Sequence, residues 1–484
     1  MIDVLIVGGG MAGLSAAYEL NRRGLSFAVL DAAARAGGVV LSEEVDGFIV
    51  DAGPDSLLVQ KPAGVQLCQE LGLGERLIST KRPRLAYVQR AGRLHALPAA
   101  SVLGIPTRVG PFLRTGLFSW SGKLRMGAEV FVPPRPDAGD ESVGHFMRRR
   151  FGAEATTYLA EPLLAGIHAG DVDRLSIRAL FPRFVEAERQ HGSLLRAFRR
   201  PAPPHDGQSR TAVAGQPAIV AGEGAFRSLP GGLSELVRAL TDALPRGSIR
   251  LRSPVKEVSW APHGSAAGAF VTTDAGERID ARALVLATPA FETARLLRHA
   301  APEVATLCGQ IDYASTATVA LAFDERAVRH PLNGSGFVVP RVESTGIMAA
   351  SWLSSKWPGR APGGRLLMRA FAGGARDAAA VDCSDAELVT RSLSALTPLL
   401  HIVAPPLFTR VYRWRRASAQ HEVGHLEWLA SLERALDGRR GLFITGSGFR
   451  GVGIPDCVSD GRATAVRVDE FLAAPQRTAR QRPA

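Results

Sequence analysis

The stretch from Val4 to Asp31, VLIVGGGMAGLSAAYELNRRGLSFAVLD, decides the fold. Val4 to Val7 is a short, wholly apolar run, as in a strand buried on both faces. Gly8, Gly10 and Gly13 then form a G-x-G-x-x-G turn. From Ala12 to Arg23 the residues Leu14, Ala17 and Leu20 share one helical face, and Gly24 ends the helix. Phe27 to Leu30 is a second strand, and Asp31 closes it, eighteen residues beyond Gly13. Strand, glycine turn, helix and strand make a βαβ unit. Gly8 permits the tight turn, Gly10 lets the backbone approach a pyrophosphate, and Gly13 lets the helix lie close to the strand. Phosphates then meet unpaired N–H groups and the positive end of the helix dipole. Asp31 stands where a carboxylate accepts hydrogen bonds from ribose hydroxyls. The predicted ligand is an adenine dinucleotide.

Downstream, Arg35-Ala36-Gly37-Gly38 follows Asp31 closely. A second glycine pair at this place resembles the extended fingerprint of FAD-binding proteins of the glutathione-reductase and amine-oxidase type. The resemblance, not the spacing, points to FAD rather than a nicotinamide cofactor.

The rest of the 484 residues sets limits. Of these, 46% are hydrophobic and 21% charged, which excludes a wholly disordered chain. The net charge of +12 is nearly all arginine, and favours anionic partners unless most of it is solvated surface. Cys68, Cys308, Cys383 and Cys457 form no CxxC pair and stand beside no metal-spaced histidines, so neither a metal site nor a disulfide framework is predicted. A cytoplasmic location fits that usage. No basic, apolar leader and no run of about 18 apolar residues appears. Residues 101–200 carry helical spacing and the basic triplet Arg148-Arg149-Arg150, a candidate for acidic lipid or a solvated helix face. Phe112, Leu113, Leu117, Phe118 and Trp120 are candidates for a membrane-facing or substrate-side patch. Residues 201–217 read as a loop and 475–484 as a disordered tail. Strands return over 248–290 and 313–372, and a helix over 384–397.

Four further segments converge on one family: Asp51-Ala52-Gly53-Pro54-Asp55-Ser56; Glu161 to Asp171 (EPLLAGIHAGD) with Leu175-Ser176; Phe181-Pro182 with Glu188 and His191 to Leu194; and Gly446 to Cys457 (GSGFRGVGIPDC). Together they resemble the FAD-dependent, oxygen-using porphyrinogen oxidases of haem biosynthesis, from Val4 to about Val468. The resemblance implies an α/β fold with α+β parts. Its core is a discontinuous Rossmann-type FAD-binding domain, of the p-hydroxybenzoate-hydroxylase and amine-oxidase kind, over 1–80, 218–300 and 406–472. A mixed-sheet substrate domain takes 81–100 and 301–405, a mostly helical insertion 101–217, and the tail 473–484.

Carried over by position, Gly8, Gly10, Gly13, Asp31 and Ala32 match the pyrophosphate and ribose contacts, and Gly37 and Gly38 the second glycine pair. Val39 stands where the family usually has a basic residue. Gly53, Pro54, Asp55 and Ser56 match a loop beside the isoalloxazine ring, Val255 a backbone contact to adenine, and Trp414, Val452, Gly453 and Ile454 the C-terminal flavin contacts. Gly170 matches a backbone position facing the macrocycle. His95 falls where many members place an arginine for a substrate propionate; a histidine there binds firmly only when protonated, so affinity would fall as pH rises. Phe371 is a further substrate-side candidate. His95, His168 and Phe371 are equally readable as packing residues, and Cys457 as a packed thiol.

The chemistry implied is removal of six electrons from a porphyrinogen in three two-electron steps, with hydride leaving a bridging carbon for noncovalent FAD and oxygen ending as hydrogen peroxide. No metal, no nucleophile and no nucleic acid is called for. Coproporphyrinogen III is favoured over protoporphyrinogen IX, because Ile105-Pro106-Thr107 through Ser121-Gly122-Lys123 resembles the soluble bacterial branch. A flavin amine oxidase or carotenoid-type desaturase, and a non-enzymatic binder of prenylated GTPases, are the alternatives of the same fold. Contact with the next haem-pathway enzyme, peripheral membrane association, and the choice between monomer and homodimer stay open.

Overall fold

The computed structural model describes residues 1–97, 101–102, 105–106, 109–136, 139–199, 224–260 and 268–474. The expected loop at 201–217 and tail at 475–484 lie outside the described residues. In chain order the elements that position the site begin with β1 (Ile2–Val7), α1 (Met11–Arg22), β2 (Phe27–Leu30), β3 (Tyr87–Arg90) and β4 (Arg93–Ala96). Next come α2 (Val143–Phe151), α3 (Glu161–His168), α4 (Leu194–Arg199), β5 (Ile249–Arg250), β6 (Val255–Trp260), β7 (Ala269–Thr273) and β8 (Arg278–Leu286). The C-terminal half adds β9 (Tyr313–Asp324), β10 (Gly336–Val338), β11 (Ala349–Ser351), β12 (Arg365–Gly373), α5 (Asp385–Leu400), β13 (Phe408–Ala419), β14 (Leu442–Ile444) and α6 (Ile454–Ala473).

The first sheet runs β5-β2-β1-β8-β7-β6, with β14 also paired to β8. β1 lies parallel between β2 and β8, so its apolar residues are covered on both faces; Val4 and Ile6 face one core, Leu5 and Val7 the other. α1 buries Leu14, Ala17 and Leu20 as its period requires. α6 crosses it so closely that a Cβ on Gly461 would meet the Ala12 carbonyl oxygen at 2.2 Å.

The second sheet runs β13-β9-β12-β11-β10-β3-β4. β13 corrects the sequence reading, which grouped 406–472 with the nucleotide-binding segments. It pairs along β9 from Phe408↔Ala322 to Ala419↔Tyr313, and the chain returns to the first sheet only at β14. One face of this sheet packs on α5. The other meets the nucleotide-binding loops near Leu367 and Arg369, through Phe48, Val50 and Asp51, and the helical segment near Val88 and Val338.

The helical segment is organised by charge. Arg150 on α2 is fully buried, donating to Glu129 through Nε at 2.8 Å and through Nη2, and to the carbonyl oxygens of Val132 and Gly192. Arg149 pairs with Glu141 and Glu188, and Arg148 with Asp173. The basic triplet is therefore split: Arg150 is buried, Arg149 is partly buried between two carboxylates, and Arg148 stays exposed. Among the patch candidates, Phe112, Leu117 and Phe118 are core, while Leu113 and Trp120 are exposed, joined by Val109, Leu124 and Phe131. No helix among the described residues is long and apolar enough to cross a membrane.

Candidate functional site

The nucleotide end is built at the C-terminal edge of β1. Gly8 has φ +109°, and a Cβ there would strike the Ala287 carbonyl oxygen at 2.6 Å. At Gly13 a Cβ would lie 1.9 Å from the Gly8 oxygen. Gly10 differs. It is the N-cap of α1, has no capping side chain, and a Cβ on it would meet nothing within 4 Å. The opening N–H groups of a helix have no acceptor within it, and α1's first i→i−4 bond runs from the Leu14 amide to the Gly10 oxygen. Open space before unpaired amides is a cradle for a phosphate.

The Asp31 carboxylate accepts from the Gly9 amide at 2.6 Å and the Ala33 amide at 2.7 Å, so it fixes the glycine turn besides offering lone pairs to a ribose. The Asp31 carbonyl accepts from the Ser253 amide, which brings the segment before Val255 alongside. The Val255 carbonyl already accepts from Arg295 Nη2 at 2.7 Å.

From Gly10 the path continues without a break. The Gly37 amide donates to the Gly9 oxygen, and a Cβ on Gly38 would lie 3.4 Å from Gly10 Cα. Beside exposed Val39, Arg35 folds back, donating to the carbonyls of Ala36, Gly38 and Val40. A Cβ on Gly53 would lie 2.0 Å from the Val39 oxygen, and Trp414 Nε1 donates to the neighbouring Ala52 carbonyl at 3.1 Å. Gly453 caps α6, its amide donating to Asp456, which pairs with Lys61 at 2.7 Å. Thus Asp31, Gly10, Gly38, Val39, Gly53 and Trp414 lie along one track, and these residues fit an elongated dinucleotide.

The Asp55 side chain turns into a buried cluster of charges. It is a buried structural anion held by Lys356 at 2.9 Å, Arg369 at 3.0 Å and Trp357 Nε1 at 3.3 Å. Burial raises its pKa, but the two cations outweigh that and hold the carboxyl well below the usual range. Asp51, four residues earlier, is paired with the fully buried Arg360 at 3.0 Å; burial pushes its carboxyl up. Sequence reasoning missed Lys356, Arg360 and Arg369, which lie some 300 positions from their partners and in no motif.

On the substrate side, the turn after α3 places Ala169 in the left-handed region and is pinned by the Gln420 side chain, donating to the His168 carbonyl at 3.0 Å, and by the Ala375 amide, donating to the Ala169 carbonyl at 2.8 Å. Phe371 packs with Ala165, Ala169 and Met348, so Phe371 and the Gly170 turn come together. His95 does not join them. The register aligns His95, Val88, Val338, Ala349 and Phe371 in one row across the sheet. Four strand steps correspond to about 19 Å, with Val88 and Val338 packed against the helical segment between. Burial, then Arg90 and Arg93, push its imidazole pKa down. These causes favour the neutral imidazole. His95→Arg is expected to leave KM within about twofold from pH 7 to 8; a wild-type KM that climbs with pH and is flattened by the substitution would restore the anchor.

His168 and His421 are buried, and burial is the main cause pushing them down to about 4 and about 3. Unfolded histidine titrates near 6.5. The unfolded chain therefore binds more protons between pH 6.5 and about 4, so stability is full above 6.5 and falls on acidification, by up to about 1.4 kcal/mol per pH unit for each histidine. Urea midpoints at pH 7, 6 and 5 test this; His168→Gln and His421→Gln together should weaken the trend, while His425, which burial also pushes down, keeps part of it. Cys68, Cys308 and Cys457 are buried thiols pushed up to about 12, so they stay protonated. The described residues hold no cluster suited to a metal ion.

Residues 11–469 match the family described as flavin containing amine oxidoreductase. The chain is 36% identical over 467 residues to the coproporphyrinogen III oxidase of Bacillus subtilis strain 168, covering 95% of this chain and 96% of that one. It is 33% identical to the coproporphyrinogen III oxidase of Propionibacterium freudenreichii, covering 97% and 92%. A solved structure from Exiguobacterium sp. 255-15, described as a protoporphyrinogen oxidase, superposes with a TM-score of 0.83 at 30% identity, covering 97% of this chain and 99% of that one. Cyclohexylamine oxidase from Brevibacterium oxydans, at 17% identity and TM-score 0.68, shares the fold.

Proposed function

The chain belongs to the flavin containing amine oxidoreductase family, and from that premise we propose that it oxidises coproporphyrinogen III to coproporphyrin III with bound FAD and oxygen. The observation that carries the reading is the single track from Asp31 past Gly10 and Gly38 to Gly53 and Trp414, in a chain whose likeness to coproporphyrinogen III oxidases runs almost end to end.

FAD, held noncovalently, supplies the two-electron acceptor. This chain's residues bind, place and dry the reactants. The α1 N-terminus would hold the phosphates. Asp31 and the Ser253–Val255 segment would hold the ribose and adenine. The loop 51–56 and Gly453 would hold the ring end. The Ala169–Gly170 turn and Phe371 offer a backbone edge and an apolar wall to the macrocycle. No side chain needs to be a nucleophile, because each two-electron step breaks a C–H at a bridging carbon as hydride, and the three protons released come from two pyrrole N–H groups and, after tautomerisation, from the fourth bridging carbon.

Aerobic turnover of coproporphyrinogen III, followed by porphyrin fluorescence, should yield three hydrogen peroxide molecules per porphyrin, from six electrons taken two at a time. Faster turnover of protoporphyrinogen IX would reverse the substrate assignment. Oxidation of neither, by protein that is yellow, would move the chain to an amine oxidase or desaturase; colourless protein that takes up no FAD would make it a binding module. The exposed Val109, Leu113, Trp120, Leu124 and Phe131 support peripheral membrane contact as part of the same reading, tested by cosedimentation with anionic vesicles.

A further inference from the structure

Arg369 stands where the nucleotide-binding loops meet the substrate sheet. It is on β12, two residues from Phe371 and therefore on the same face of the sheet, and it is 3% exposed. Its Nη1 donates to the Asp51 carbonyl at 2.5 Å and the Gly53 carbonyl at 2.7 Å, while Nη2 is 3.0 Å from Asp55. The guanidinium carbon lies 5.1 Å from the centre of the Phe371 ring. The remaining donor, Nε–H, is buried with no acceptor among the described residues.

The charges around it do not cancel. Lys356, Arg360 and Arg369 face two carboxylates, Asp51 and Asp55, so one positive charge is left over in the buried cluster. A buried charge acts through a low dielectric and is little screened by salt. The Gly53 carbonyl, which the cluster grips, belongs to the loop assigned to the flavin ring.

We propose that Arg369 is a positioning residue that clamps the 51–56 loop to the substrate sheet and presses the cluster's surplus positive charge toward the flavin ring, raising its reduction potential. The inference rests on the FAD reading above. Reduction adds negative charge to the ring system, so a fixed cation nearby favours the reduced form. A fork is needed as well as a charge, because two carbonyls and a carboxylate are held at once.

Arg369→Gln is the decisive substitution. Asp55 keeps Lys356 and Asp51 keeps Arg360, so no carboxylate is left unpaired. FAD-reconstituted wild type, Arg369→Gln and Arg369→Lys are compared by spectroelectrochemical titration and by sulfite binding to the bound flavin. In Arg369→Gln the reduction equilibrium should fall about tenfold, or about 30 mV for two electrons, and sulfite should bind about tenfold more weakly. Arg369→Lys, which keeps the charge and loses the fork, should keep the potential and weaken FAD binding. If Arg369→Gln does not fold, Lys356→Gln takes its place and should shift both readouts in the same direction by less. An unmoved potential in Arg369→Gln with FAD bound, or an equal drop in Arg369→Lys, overturns the inference alone. Wild-type protein that takes up no FAD overturns the flavin reading, and this inference with it.

Discussion

Gly10→Val should abolish flavin binding and leave the apoprotein folded. Gly10 sits at φ −73° and ψ −179°, which any residue can adopt, and a Cβ there touches no protein atom within 4 Å. The apoprotein should lose only about 1 kcal/mol, for a β-branched residue at an N-cap. The cofactor has no such room: the pyrophosphate must approach the space the valine would fill. A loss of at least about 100-fold in FAD affinity is expected, equal to about 2.7 kcal/mol. The clean readout is thermal. FAD at 100 times the wild-type Kd stabilises wild type by about 2.7 kcal/mol through mass action, and should stabilise Gly10→Val by no more than about 0.4 kcal/mol. Gly13→Ala is the contrast. Its Cβ would lie 1.9 Å from the Gly8 oxygen, so helix and strand must part and the apoprotein itself should melt early. A Gly10→Val protein with full flavin content would show that the phosphates lie elsewhere.

The same contrast shows what was legible in the sequence. β1, α1 and β2 were readable because their signals are local: an apolar run, a helical period, glycines at fixed steps. Gly8 and Gly13 are pressed against backbone, whereas Gly10 faces open space. The charged residues were not readable in this way. Arg148, Arg149 and Arg150 look like one basic strip because sequence shows only neighbours; Arg150 finds Glu129 earlier in the chain and Glu188 later, and is buried by both. The motif marks the loop that holds Asp55 but not the pairing of its side chain with Lys356 and Arg369, which no local pattern links to it. β13 alternates like any strand, yet which sheet receives it depends on β9, nearly a hundred residues earlier. His95 was placed by likeness to an arginine position; the register sets it four strands from Phe371. Local chemistry was visible, and long-range pairing of charges and strands was not.

Glu129→Ala should cost about 3–5 kcal/mol, the loss expected when one partner of a buried ion pair is removed. Glu129 and Arg150 are both fully buried. Besides Arg150, the Glu129 carboxylate accepts from Ser193 Oγ at 2.5 Å and from the amides of Leu194 and Leu195 at 3.0 and 3.2 Å, so it also caps the start of α4. Removing it leaves a cation without its main partner in a dry interior and frees two buried amides. Arg150 retains carbonyl contacts and Glu188 at 3.3 Å, which limits the loss but cannot replace the lost carboxylate. The damage should stay on the substrate side. The nucleotide-binding core is a separate cluster of apolar residues, so flavin content should hold while turnover falls, because α3 and the Gly170 turn belong to the helical segment that Glu129 braces. Urea unfolding, flavin absorbance and porphyrin production on one preparation separate these effects. The paired substitution Glu129→Leu with Arg150→Met distinguishes the loss of a bond from the stranding of a charge. A stranded charge predicts that the pair regains most of the stability, whereas a double variant as weak as Glu129→Ala would mean that the cap on α4, not the ion pair, holds the segment in place.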